Sequence, residues 1–171
     1  MSNFALVDIT SSKMVCVHEE CDVPPIHFQD TMRHGFDVLD NFIKKNEVIP
    51  LSFPCAIYTS YNDKIIAYDL GVSVSHSDAD KAKGSAQVHV IDSYEGKALK
   101  YTHTGPYRHL SNSWRILEII AKSEGLTGCD QRWETFISDP NLVSEDDLET
   151  ELYLPVVQNR LTQNDLQHIT I

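Results

Sequence analysis

Apolar residues recur along this chain in two rhythms, and the order of those rhythms occurs twice. Residues 4–8 and 14–19 alternate apolar and polar as short strands on either side of Ser11-Ser12. Pro24-Pro25 then forbids strand or helix until His27. From there Met32, Phe36, Leu39 and Ile43, with Phe42 beside them, recur at steps of three and four. Asp30, Asp37, Asp40 and Lys44 take the other face, so the spacing predicts a helix over 27–46. Pro50 and Pro54 close that connection. Residues 56–61 and 65–74 are aromatic and β-branched, which predicts two strands around an Asn62-Asp63 hairpin turn.

Residues 76–87 are small, polar and charged with no apolar period, the pattern of a surface connection. Strands are then expected at 88–92 and 98–103 about Glu95-Gly96. Gly105-Pro106-Tyr107 breaks the chain, and Ser111 or Ser113 can cap a helix over 109–124 whose stripe is Trp114, Leu117, Ile120 and Ala121, ending near Gly125. Strands at 132–138 and 150–157 follow. The chain thus reads as one domain, 1–171, of two βαββ units, about 4–75 and 88–157, with a C-terminal tail at 158–171. Neither unit can bury its helix and strands alone. The expectation is an α+β fold with pseudo-twofold symmetry, in which two helices lie on one side of a mostly antiparallel sheet.

Composition narrows the function. A net charge of −11 is spread almost evenly, about −5 in the first half and −6 in the second. No basic face is left for a phosphate backbone, so no direct nucleic-acid partner is expected. Cys16, Cys21, Cys55 and Cys129 follow no Cys-x-x-Cys spacing and fit a reduced, cytoplasmic chain. Cys16-x-His18-x-x-Cys21 suggests zinc only superficially, because no second ligand pair follows; no metal and no cofactor are expected. The start MSNFALVDITSS lacks a basic, then apolar, leader, and no apolar run approaches a membrane span. His18, His27, His103 and His109 stand outside any Gly-x-Ser-x-Gly, His-Glu-x-x-His or glycine-rich phosphate motif.

Glu134 is the informative residue. It stands in RWETFISDP (132–140), within a strand-like run where an unpaired carboxylate is costly to bury. Glu134 and Phe136 share one face of that strand, and Trp133 and Thr135 share the other. Glu151 and Tyr153 share a face of the last strand. Matching the Asn62-Asp63 turn to Ser138-Asp139 sets Tyr58 opposite Glu134 as its repeat mate. Rings around a carboxylate make a receptor for lipophilic, often cationic, molecules. The candidates are Glu134 and Glu151 for charge, and Tyr58, Tyr68, Trp114, Trp133, Phe136 and Tyr153 for walls. Taken singly, Trp114 and Trp133 also suit a core, Tyr153 a half-exposed strand, and Glu151 the acidic run that begins at Glu145.

Gly105-Pro106-Tyr107, the Trp133–Phe136 strand ending in Asp139-Pro140, and TELYLPV (150–156) together resemble the GyrI-like small-molecule-binding domain, here in stand-alone form. In the N-terminal half the likeness is architectural, with Asp22-Val23-Pro24-Pro25 where that motif would recur. The resemblance implies a duplicated α+β fold with ligand bound between the repeats, and assigns the Glu134 face to the pocket. It leaves three functions open. One is binding of bulky hydrophobic or cationic compounds, for sequestration or detoxification. Another is hydrolysis of strained cyclopropane rings with Glu134 as general base. The last is inhibition of a protein such as gyrase, for which nothing in the chain marks a surface. A whole transcription activator is not expected, since no helix-turn-helix precedes residue 4.

Overall fold

The computed structural model describes residues 3–159; the tail assigned to 158–171 lies outside them beyond its first two residues. In chain order the strands are β1 (Phe4–Ile9), β2 (Lys13–Asp22), β3 (Cys55–Tyr61), β4 (Ile65–Ser73), β5 (His89–Asp92), β6 (Gly96–Thr104), β7 (Leu126–Gly128), β8 (Trp133–Phe136) and β9 (Glu149–Gln158). The helices are α1 (Phe28–Lys45), α2 (His76–Asp80) and α3 (Leu110–Ser123). The strand order is β1-β6-β9-β8-β3-β4-β2-β5, with β7 on β9, and every pairing is antiparallel. Outward from the β8–β3 junction, each side runs second strand, third strand, first strand of a βαββ unit. That order is the one expected of two such units meeting edge to edge.

Both helices cover the same face. Leu39 of α1 packs with Val15, Val17 and Val72, and Leu117 and Ala121 of α3 pack with Leu99, Leu152 and Leu154. Those strand residues share a face by register, Val15 opposite Val72 and Leu99 opposite Leu154. Two strands do not pair as their nearness in sequence suggests. β1 joins β6 and β5 joins β2, so each strand preceding a unit completes the edge of the other. This exchange ties the halves together.

Smaller differences have local causes. The 76–87 connection contains α2, whose five residues are too few to show a period; Ser75 caps it by accepting from the Asp78 amide at 3.1 Å. β7 is equally short. Neither Ser111 nor Ser113 caps α3, because a 3₁₀ turn, Tyr107–His109, leads directly into it. Asn62 does close the β3–β4 hairpin, its side-chain oxygen accepting from the Lys64 and Ile65 amides. No helix among the described residues is long and apolar enough to cross a membrane.

Candidate functional site

Between α1 and α3 the helix-bearing face of the sheet carries Ala56, Tyr58, Tyr68, Glu134, Phe136 and Thr150. Glu134 is only 4% exposed. Strand register places Ala56, not Tyr58, directly opposite it across the β3–β8 junction, and Leu152 on its other side. Tyr58 stands two positions along β3 from the residue opposite Glu134. Tyr58 reaches Glu134 diagonally instead. Its hydroxyl donates to Oε2 at 3.0 Å, over an Ala56 side chain too small to obstruct it.

The second carboxylate oxygen is served from α3. Trp114 donates its indole N–H to Oε1 at 2.8 Å, and the Arg132 guanidinium lies over that indole, 5.2 Å from the ring centroid. Burial raises the Glu134 carboxyl above its ordinary range, and the Trp114 and Tyr58 bonds counter this in part. Among the described residues no ion pair includes Glu134; Arg132 is engaged by Glu118 at 2.7 Å. Tyr58 is held well above the usual phenol range by burial and then by Glu134, so its hydroxyl stays a donor.

Six rings surround this acid. Tyr58 and Tyr68 lie 6.2 Å apart, Phe28 of α1 meets Tyr68 at 5.3 Å, and Phe36 of α1 and Tyr107 of the turn before α3 each approach Phe136 edge-on, at 5.8 and 5.9 Å. Phe136 is thus the ring on which the two halves meet. Two buried oxygens on the same face, Tyr68 Oη and Thr150 Oγ1, have no hydrogen-bond partner among the described residues, an uncommon condition.

Gly105-Pro106-Tyr107 explains how α3 is aimed. Gly105 sits at φ +122, where a side chain would be strained, and its amide donates to Leu148 O at 2.8 Å. Buried His103 bonds the Pro106 carbonyl through Nε2 at 3.2 Å and the Ser113 hydroxyl through Nδ1 at 2.7 Å. A carbonyl only accepts, so Nε2 carries a proton. The imidazole thereby joins the end of β6 to the turn and to the first helical turn of α3, one residue before Trp114.

Of the sequence candidates, Glu134, Tyr58, Tyr68, Trp114 and Phe136 come together. Trp133, Glu151 and Tyr153 do not; strand alternation puts them on the helix-free face. There Trp133 and Tyr153 stack at 4.8 Å and 6°, with Tyr94 tilted against Trp133 at 5.8 Å and Lys100 6.0 Å from the Tyr153 centroid. Glu151 is neutralised by Lys100 at 2.5 Å and accepts from Tyr153 at 2.7 Å. Phe28, Phe36 and Tyr107 were missed. Phe36 lies on the predicted apolar stripe and Tyr107 in the turn motif, but only tertiary packing sets them against Phe136.

Grooves of about 350 and 510 Å³ lie elsewhere, on the outer side of α1 against residues 81–89. The second is lined by Lys45, Lys81 and Lys83, which follow the C-terminal ends of α1 and α2, where cations offset the helix dipole. Among the described residues no three His, Cys, Asp or Glu side chains converge to hold a metal ion.

Comparison with known proteins follows the fold. The C-terminal domain of EcmrR superposes with TM-score 0.68 at 17% identity, over 91% of this chain and 98% of that one. SAV2435 bound to tetraphenylphosphonium gives 0.66 at 15%, over 97% and 96%. A hydrolase from Listeria innocua gives 0.60 at 16%, over 91% and 92%. At these identities the likeness is one of fold. No curated protein sequence matches. The sequence profile of the GyrI-like small molecule binding domain matches residues 39–157, and the chain belongs to that family.

Proposed function

We propose that this protein is a single-domain receptor that binds bulky hydrophobic cations between α1 and α3, with Glu134 as the counter-charge. The observation that carries the reading is the pairing state of that carboxylate. It is buried, supplied with two neutral donors, and matched by no cation among the described residues. A buried acid of this kind costs stability unless something else satisfies it. Rings on every side supply apolar contact and quadrupole attraction for a delocalised cation, and the low local polarity strengthens its pairing with Glu134. The tetraphenylphosphonium complex of SAV2435, a protein of the same fold, supports this ligand class. Four free cysteines support a reducing, cytoplasmic setting.

The test is Glu134→Gln titrated with tetraphenylphosphonium and with neutral triphenylphosphine oxide, followed by tryptophan fluorescence. The variant should lose about 1–3 kcal/mol for the cation, about 5- to 150-fold in Kd, and little for the neutral compound. Equal losses for both would show the carboxylate to be structural.

The upward shift of the Glu134 carboxyl pKa by burial also supports a second reading, general-base hydrolysis of a strained electrophile, and a Listeria innocua hydrolase shares the fold. Turnover of a cyclopropane-bearing alkylator by wild type, abolished in Glu134→Gln with binding retained, is its expected result. Product formation at the uncatalysed rate in both proteins would sink it.

A further inference from the structure

On the helix-free face one row of directly opposed residues runs His89, Cys16, Gly71, Cys55, Thr135 across β5, β2, β4, β3 and β8. Opposed residues point the same way, so both cysteines face one side with a glycine between them. Sulfur occupies the space that glycine leaves. A Cβ built on Gly71 would stand 2.4 Å from Cys16 Sγ and 3.4 Å from Met14 Cε. Met14, Cys16 and Cys55 form one cluster, 4%, 0% and 6% exposed, beneath Ile57, Ile91 and Trp133. Cys21 belongs to a different cluster on the helix side, so the partner of Cys16 is not the cysteine nearest in sequence.

The strand spacing decides what this pair can do. Two inter-strand steps set the cysteine Cα atoms about 9–10 Å apart, beyond the roughly 7 Å that a disulfide tolerates. A bridging metal reaches further. Two metal–sulfur bonds of about 2.3 Å in line separate the sulfurs by about 4.6 Å, against about 2.05 Å in a disulfide. We infer that Cys16 and Cys55 form a two-coordinate site for a thiophilic monovalent ion of the Cu(I) or Ag(I) class, with the Met14 thioether as a third, weaker donor.

Soft thiolate and thioether ligands select such ions over Mg²⁺ or Ca²⁺, and tetrahedral zinc would need ligands that do not converge here. Binding breaks two S–H bonds, forms two S–metal bonds and releases two protons to solvent, with no change of oxidation state. Burial raises both thiols, Cys55 to about 12, and Cys55 and Asp69 push Cys16 further. The metal-free form is therefore the neutral dithiol. His89, directly opposite Cys16, is half-exposed, with its Nε2 3.6 Å from Asp69.

The full chain is titrated with silver nitrate in chloride-free buffer against a competing chelator, counting bound ions by native mass spectrometry. One tightly held Ag⁺ is expected, with Trp133 emission quenched and affinity rising about 100-fold per pH unit as two protons leave. Cys16→Ala and Cys55→Ala should each abolish tight binding, and Cys21→Ala and Cys129→Ala should retain it. If Cys16→Ala fails to fold, Cys55→Ala and the wild-type pH slope decide. Retention of silver by Cys55→Ala, loss of it in Cys21→Ala or Cys129→Ala, or a one-proton slope would overturn the proposal. So would a disulfide between residues 16 and 55 after mild oxidation.

Discussion

Tyr58→Phe removes one oxygen from the centre of the site and changes no ring position. The lost hydroxyl is the donor to Glu134 Oε2 at 3.0 Å, and the other oxygen keeps its indole partner at 2.8 Å. At neutral pH the variant leaves a buried carboxylate oxygen without a donor. A hydrogen bond to a charged group contributes about 1.5–3 kcal/mol. For a chain of this size each kcal/mol moves Tm by about 2–4 °C, so Tyr58→Phe should melt about 3–12 °C below wild type.

The deficit should also depend on pH. The hydroxyl favours the ionised acid, so its removal matters most where Glu134 is charged and fades as the carboxyl protonates. Melting curves between pH 4 and pH 8 for wild type, Tyr58→Phe, Glu134→Gln and the double variant form the assay. In the Glu134→Gln background the added cost should fall below about 1 kcal/mol, the value of a neutral bond. A cost that is equal at every pH and in both backgrounds would refute the reasoning and reduce the hydroxyl to packing. Tetraphenylphosphonium should bind Tyr58→Phe no more weakly than wild type, because the carboxylate has lost a dipole that competes with the ligand.

The same acid sets the pH profile of wild-type stability. Its folded-state value is raised above 4.5, so its unfavourable contribution is absent below 4.5, develops as pH rises from there through the folded value, and stays constant above it; acid-range urea melts should show that fall in wild type and not in Glu134→Gln. Trp133→Phe, on the opposite face, should leave tetraphenylphosphonium affinity within about twofold, as measured by titration. His103→Ala breaks the bonds to Ser113 and Pro106, should cost about 1–3 kcal/mol by urea denaturation, and should weaken the cation by loosening Trp114 and Tyr107.

Much of the architecture is legible in the pattern of residues because each signal is local. The α1 stripe, the Asn62 turn and the break at Gly105-Pro106-Tyr107 each act within a few residues, and the observed elements start or stop within a few positions of them. What is not legible is long-range. The exchange of β1 and β5 between halves rests on pairings 80 or more residues apart for β1 and on the competition between two edges. Register across the β8–β3 junction is similar, since only the sheet shows that Ala56 rather than Tyr58 stands opposite Glu134. The approach of Phe36 and Tyr107 to Phe136 depends on both helices being docked at once.

The two faces of the sheet separate residue type from chemical role. Each carries aromatic rings with one glutamate among them, Glu134 on one and Glu151 on the other, and from sequence the two sets are interchangeable. Glu151 is saturated. A lysine neutralises it, and Tyr94 and Lys100 lie near the Trp133–Tyr153 stack, so a ligand would have to displace contacts already made. Glu134 has only neutral donors and no ion pair among the described residues, and two further buried oxygens on the same face lack partners there. Binding there adds interactions without breaking an ion pair, and it relieves a desolvation cost already incurred on folding. That difference is why the proposed cation site is placed on the helix-bearing face rather than beside Glu151.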